Sequence, residues 1–454
     1  MLGKISIGIL LSVLFLASCK NDDNYSPLAP DARNDFIEIL QNRTVEIYVL
    51  NNDLDIPEAG TFAVTASENA TITIEDPNNT QNNPSDDYIQ YTPTPNFTGE
   101  DIFEYTICDA SQTSCASAIV TVSVQNASPV RYVPSELPYE KLSDYKFFTG
   151  NMSNLEPAFG VVPFEPISAL FSDYAKKKRF IWMPNNATGR YVSDHEVLDF
   201  PEGTILIKNF YYTNVLPDNS QRIIETRLMI MKDGKWMFAN YIWNTAQTEA
   251  YFDLSGGPTQ LSWLQNGVKR TVEYRIPAES QCFTCHKSLV DNTPIGLKPQ
   301  NLNGDYPYAE GVMNQLTKLV EMGYLDASIP ATIETVVNWE DTSQSLDLRV
   351  RSYFDINCAH CHSDVKHCDY RPMRFAFNES ADPVNLGVCV DPDTSIPPYT
   401  KIVNPGDKET SVLFFRFSTT LEQYRMPLFG RTLVHDEALA LIEEWINSLT
   451  ENCD

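Results

Sequence analysis

Polar and apolar residues alternate in short runs over the first quarter of the chain. Val45-Glu46-Ile47-Tyr48-Val49-Leu50 and Ile119-Val120-Thr121-Val122-Ser123-Val124 place every second residue on one face, and Asn, Asp, Pro and Gly bound such runs. A period of two belongs to half-buried strands, so residues 32–126 are expected to form an all-β sandwich. Asn126 to Pro138 reads as a linker. Residues 139–278 carry longer, more aromatic strands: Gly203 to Tyr212, Arg227 to Met231 and Trp236 to Trp243, with Asp233-Gly234 as a hairpin turn. The density of aromatics there fits a two-sided core or a binding platform. Beyond residue 278 the period lengthens. Ala309–Met322 and Leu346–Phe354 read as helices. Asp436–Leu449 is an amphipathic helix with acids in its first turn, an apolar stripe of Leu439, Ile442, Ile446 and Leu449, and Trp445 beside that stripe. The expected fold class is thus multi-domain: an all-β sandwich, a second β-rich domain at 139–278, a segment at 279–340, and a mainly α domain at 341–454.

The N-terminus carries an address. Lys4 precedes an apolar run from Ile5 to Leu16, too short to span a bilayer and suited to a signal-peptide core. It ends in Leu16-Ala17-Ser18-Cys19, which resembles the lipobox of bacterial lipoproteins. That resemblance implies a signal peptide at 1–18, a diacylglycerol anchor on Cys19 and a tether over 19–31. The membrane is then a partner only through the lipid, and the location is the cell envelope, on the outer membrane, periplasmic or surface-exposed. A simple secretory signal with a chance cysteine is the alternative. Lys20-Asn21-Asp22-Asp23 is similar to the acidic sorting stretch of some surface lipoproteins. Export favours pairing of spare cysteines.

Composition narrows the partners. The chain of 454 residues has 33 Lys+Arg against 60 Asp+Glu, a net charge of −27. Such a surface repels phosphate backbones and argues against nucleic acid. Residues 1–126 alone hold 18 acids and 4 bases, a solvated front module. Hydrophobic residues at 43% are ordinary globular usage.

Within that front module, Val49-Leu50-Asn51-Asn52-Asp53 and Tyr91-Thr92-Pro93-Thr94-Pro95-Asn96-Phe97-Thr98-Gly99-Glu100-Asp101-Ile102-Phe103-Glu104-Tyr105 resemble bacterial cadherin-like, Ig-like modules. Such modules act as spacers or adhesive units. Cys108 and Cys115 flank a short loop and are expected to pair. A calcium site at Asp53 and Asp101 is one reading of the acidic turns; ordinary turn chemistry is the other. No catalytic constellation marks this segment.

The chemistry lies in Cys282-Phe283-Thr284-Cys285-His286 and Cys358-Ala359-His360-Cys361-His362, both C-x-x-C-H. Two thiols three residues apart on a helical turn can each form a thioether with a haem vinyl group, and the adjacent His becomes the proximal iron ligand. Cys282, Cys285, Cys358 and Cys361 are the expected attachment points of two haems c, with His286 and His362 as axial ligands. Zinc is the rival reading, but 72 residues intervene between Cys285 and Cys358, unlike a zinc ribbon. A redox-active dithiol would need a thioredoxin-like context. His195-Glu196 is not a metalloprotease motif, because position 199 is Asp and not His.

Tyr424-Arg425-Met426-Pro427-Leu428 resembles the distal methionine loop of class I cytochromes c, with Met426 lying 64 residues after His362. The resemblance implies that Met426 is the second axial ligand of a cytochrome c-like domain; a thioether ligand raises the potential. Cys368 and Cys389 bracket an insertion and are expected to pair, which leaves Cys453 over. For the first motif the sixth ligand stays open: Met313, Met322, His195, His435 or none. Residues 160–454 also resemble a family of exported bacterial proteins with paired haem motifs. The landmarks are Phe171-Ser172-Asp173-Tyr174, Phe200-Pro201-Glu202-Gly203-Thr204, Glu225-Thr226-Arg227, Tyr241-Ile242-Trp243-Asn244, Asn357 to His362, and Gly430-Arg431 before His435.

The leading expectation is a lipid-anchored c-type cytochrome transferring electrons in the envelope, its redox partner unspecified. One alternative is a haem-dependent oxidoreductase or peroxidase, with its active site between the first haem and the β-rich domain. Another is a surface adhesion or binding lipoprotein with structural haem.

Overall fold

The computed structural model describes residues 29–125, 128–185 and 187–453. The signal peptide and Cys19 lie outside the described residues. Among these, no helix is long and apolar enough to cross a membrane.

The front module is a two-sheet sandwich. Strands β1 (Asp35–Leu40), β2 (Val45–Ile47), β3 (Gly60–Val64), β4 (Ala70–Glu75), β5 (Tyr88–Pro93), β6 (Gly99–Asp109) and β7 (Cys115–Gln125) form sheets of order β1-β7-β6-β3 and β2-β5-β4. The first strand runs parallel to the last, and β6 and β7 form a long antiparallel hairpin. Alternation sets the core: Phe103, Tyr105 and Ile107 point inward from β6, and Val120, Val122 and Val124 from β7. The disulfide Cys108–Cys115 closes the hairpin, with the two Cα atoms 4.1 Å apart. Asp53 and Asp101 serve different partners. Asp53 accepts from Tyr105 Oη and the Arg33 amide, and Asp101 from Tyr91 Oη and Ser67 Oγ. These hydrogen bonds account for the placement of both carboxylates. Arg43 ties the module to the rest of the molecule. Buried, it donates to the carbonyls of Ala187 and Gly323 and lies over the Tyr324 ring.

The second unit is an eight-stranded sheet of β8 (Val162–Phe164), β9 (Lys176–Trp182), β10 (Ile205–Val215), β11 (Ser220–Lys232), β12 (Lys235–Trp243), β13 (Ala250–Phe252), β14 (Gly257–Gln265) and β15 (Val268–Ile276). β11 and β12 turn through Asp233 and Gly234, both at positive φ, as a two-residue hairpin loop requires. One face of β9–β12 carries Phe180, Ile205, Ile207, Leu228, Ile230 and Ala239 and packs on residues 130–161. The opposite face presents Ile181, Leu206, Met229 and Phe238 to residues 297–325. The aromatics are therefore largely two-sided core.

The segment after β15 holds α1 (Glu279–His286), small hairpins β16 (Lys287–Ser288) with β17 (Asp291–Asn292) and β18 (Asp305–Tyr308) with β19 (Gly311–Asn314), α2 (Pro299–Leu302) and α3 (Gln315–Glu321). The helix expected from Ala309 is corrected: it starts only at Gln315. The β18–β19 hairpin claims the first half, and Asn314 caps the helix by accepting from the Leu316 and Thr317 amides. Among the described residues the last domain has three α-helices, α4 (Leu346–Phe354), α5 (Val412–Ser418) and α6 (Asp436–Ser448). Most of residues 341–454 is irregular, so "mainly α" overstates it. Helices α4, α5 and α6 share one core with Trp445 and Phe354 in contact. As a whole the chain is multi-domain and strongly β-rich.

The expected disulfide Cys368–Cys389 is also corrected. Cys389 pairs with Cys453, with Cα atoms 5.0 Å apart, and Cys368 is a free, buried thiol. Two contacts explain this. The amide of Gly406 bonds to the Ile446 carbonyl, bringing the chain end back over the segment that holds Cys389, which bonds to Val403. Cys368 instead folds toward the second motif, its amide bonded to the Cys361 carbonyl at 2.9 Å.

Candidate functional site

α4 runs without a break into a π-helical turn, Asp355–Ala359, which carries Cys358. Such turns shift the side-chain register and are frequent at functional sites. Asp355, buried, fixes this turn through Lys298 at 2.8 Å and Asn301 at 3.1 Å, and accepts from the Phe377 amide. Burial opposes its charge, but these partners keep the carboxyl below its ordinary range. The chain then brings Cys358, Cys361, His362 and Met426 onto the wall of one cavity of about 330 Å³. Phe354, Phe375, Ile402, Leu413, Phe417 and Leu428 supply apolar surface. Arg371 and Arg416 are at the same wall. Arg371 pairs with Asp393 at 3.0 Å, whereas Arg416 has no carboxylate partner among the described residues. His362 is buried, its imidazole held near 4 by that burial and hence neutral, and its Nδ1 has no partner.

The first motif occupies α1, set against the sheet by aromatic contacts. Phe238 on β12 meets Phe283 at 5.3 Å and the His286 ring at 5.3 Å. His286 Nδ1 faces the Thr293 carbonyl at 2.8 Å. With Nδ1–H donating there, the lone pair of Nε2 is free, the tautomer a metal-ligating histidine needs. Burial lowers this imidazole to about 4. Burial also raises the Cys282 thiol, with the charge of Arg227 opposing it.

The two motifs meet. The thiols of Cys285 and Cys361 and the imidazole of His360 lie within 4.8 Å of one another, and Cys361 Sγ approaches the Thr284 carbonyl at 3.9 Å. Sequence distance, which counts against a shared metal centre, is cancelled by the fold. Free thiols in this arrangement offer two soft sulfurs and a nitrogen, a donor set that suits zinc. Thioether formation at Cys285 or Cys361 would consume a thiolate, so the two uses exclude each other.

The candidates for a sixth ligand of the first motif are engaged elsewhere. Met322 is buried in the core between sheet and α3, and Met313 is packed against it. His195 is held by Gln300 at 2.7 Å and Glu334 at 3.3 Å. His435 stacks on Phe171 at 4.0 Å and meets Tyr353 Oη at 2.9 Å.

Sequence reasoning missed a polar row on the sheet face that α1 covers. Lys208 on β10 stands opposite Arg179 on β9 and Arg227 on β11, and Arg227 opposite Asn240 on β12. Lys177 follows two residues before Arg179, opposite Phe210. Lys176-Lys177-Lys178-Arg179 is an unbroken basic run that reads first as a solvated edge, and only the strand register puts Lys177 and Arg179 on the covered face. Burial, and then the neighbouring cations, lower the ammonium groups of Lys177 and Lys208 well below their ordinary value.

Front strands in two sheets, with the first parallel to the last, make an immunoglobulin-like domain. Residues 24–124 match the bacterial Ig domain family, and this part of the chain is such a domain. No curated protein matches the chain.

Proposed function

We propose that the protein is a lipid-anchored c-type cytochrome with two covalently attached haems, passing electrons in the cell envelope. One observation carries the reading: the two thiols and the imidazole of the second motif share a single largely apolar cavity with the thioether of Met426, 64 residues further on. The fit rests on the donor set and the walls. Cys358 and Cys361 would be the thioether points, His362 and Met426 would hold the iron, and Arg416, which has no carboxylate partner among the described residues, would meet a propionate carboxylate. His286, with Nδ1 committed to Thr293, would be the proximal ligand of the other haem, held at Cys282 and Cys285. Bound haem supplies reversible one-electron chemistry at iron.

The chain's own residues set the conditions. The aromatic and aliphatic part of the wall would lower the dielectric around a bound haem, which disfavours added charge on its iron. Met426 would offer a soft sulfur that favours the reduced metal, and its backbone is fixed by the Arg431 Nε bond to its carbonyl at 2.8 Å. The lipid at Cys19 would hold the chain at the membrane, and the bacterial Ig domain would be a spacer.

A second reading, a haem-dependent oxidoreductase with its active site at the first motif, gains support from the cationic row beneath α1. The test is haem stoichiometry by pyridine haemochrome spectrum against protein mass, with metal content measured on the same sample. Two covalent haems per chain support the proposal. None, with bound zinc, overturns it in favour of the Cys285–His360–Cys361 metal group.

A further inference from the structure

We propose that Arg179, Lys208, Arg227 and Asn240, with Lys177 beside them, form a binding site for an oxyanion, either a carboxylate pair or a small inorganic oxyanion. Three observations carry it. First, three cations stand directly opposite one another on neighbouring strands, and like charges in that position repel. Second, compensation is incomplete. Arg179 reaches Glu165 at 3.5 Å and Arg227 reaches Glu225, but Lys177 and Lys208 have no carboxylate partner among the described residues. Four basic side chains thus face two carboxylates, which leaves the lysines as places for an anionic guest. Third, Asn240 is 96% buried (4% exposed), yet neither its Nδ2 nor its Oδ1 has a partner, and Arg227 Nε also lacks one. A buried polar atom without a partner is costly, so the free donors Asn240 Nδ2 and Arg227 Nε, which stand beside the orphaned acceptors Asn240 Oδ1 and Glu225 Oε2, mark the row as a place for a bound polar group.

The floor is shaped for this. The buried Phe210 ring lies under Lys208 Nζ at 5.1 Å and Arg227 Cζ at 4.2 Å, which holds both cations on the face that meets α1. Phe238, two residues before Asn240 on the same face of β12, touches the His286 ring. The oxyanion therefore sits beside the first motif. Two sources share this chemistry: the paired carboxylates of a porphyrin held at His286, or a free oxyanion brought as substrate. The first source rests on the haem reading, and the second does not.

Sulfate is the probe, titrated calorimetrically at low ionic strength into the full mature chain from a host with c-type maturation, and into its Cys282→Ala/Cys285→Ala variant. Binding by the mature chain, weakened about ten- to a hundredfold in Lys208→Gln, supports a free-oxyanion site. Binding only by the Cys282→Ala/Cys285→Ala variant, with the same loss in Lys208→Gln, assigns the row to porphyrin carboxylates. No binding by either protein overturns the proposal. Equal binding with and without Lys208→Gln also overturns it. Should Lys208→Gln fail to fold, Asn240→Asp replaces it. A resident carboxylate there should raise Tm and abolish sulfate binding; lowered Tm with binding retained overturns the proposal. Haem content of each sample separates failure of the haem reading from failure of the anion site.

Discussion

The thiol of Cys285 stands within 4.8 Å of the thiol of Cys361, although the two belong to motifs in different parts of the fold. Helix α1 is pinned to the sheet through Phe238, and the π turn after α4 faces it across the cavity. The close approach of Cys361, with the His360 imidazole beside it, lowers the Cys285 thiol well below the ordinary range, and the neighbouring sulfur raises Cys361.

This contact predicts a specific cross-link. In chain produced without haem attachment, diamide should accept two hydrogens from Cys285 and Cys361 and leave an S–S bond between them. Peptide mapping under non-reducing conditions checks it. Links confined to Cys282–Cys285 and Cys358–Cys361 would show that the motifs do not meet.

Replacement of Met426 by Ala should remove the sulfur-to-iron charge-transfer band of the oxidised protein. It should lower one midpoint potential by on the order of 0.1 V, within the span of about 0.8 V that axial ligands cover. Spectroelectrochemistry reads both. A spectrum and a potential unchanged by the substitution would exclude Met426 as a ligand.

The two disulfides should differ in weight. Cys389–Cys453 closes a loop of sequence separation 64 and Cys108–Cys115 one of 7. Loop-closure entropy assigns about 4 kcal/mol to the first and about 2 kcal/mol to the second. Cys453→Ser should therefore lower the melting of the C-terminal domain more than Cys115→Ser lowers that of the Ig domain. Calorimetry of the full chain, with the two transitions assigned by domain, tests the order.

Acid should loosen the seam between sheet and C-terminal domain. His435 lies against Phe171, Tyr174, Trp339 and Tyr353, and burial lowers its imidazole from 6.5 to about 3. Below pH 6.5 the unfolded chain binds a proton that the folded chain refuses. Stability then falls as pH drops from 6.5 toward about 3 and levels off below, with a slope of up to about 1.4 kcal/mol per pH unit. His435→Gln, which keeps a partner for Tyr353, should flatten that part of the stability profile measured by urea unfolding. An unaltered profile would show that His435 does not titrate there.

Alternation alone was enough to read the front sandwich, because one face of each strand is buried and the other wet: Phe103, Tyr105 and Ile107 point in while Glu104 points out. The two C-x-x-C-H motifs were equally plain, since each is defined by spacing within five residues. The helix at Leu346–Phe354 could be read for the same local reason. The start of α3 could not, because a hairpin of Pro307, Val312 and Met313 competes for residues that favour either state.

What the sequence determined by itself is therefore local: strand faces, hairpin turns, and two C-x-x-C-H units. Tertiary structure decided which distant residues meet. It sent Cys389 to Cys453 rather than Cys368, since the return of the chain end past Ile446 is a packing event with no sequence signature. It also brought Cys285 to Cys361 and lined up Arg179, Lys208, Arg227 and Asn240, because strand register and helix docking, both set by burial of apolar surface, fix distances that chain separation leaves free.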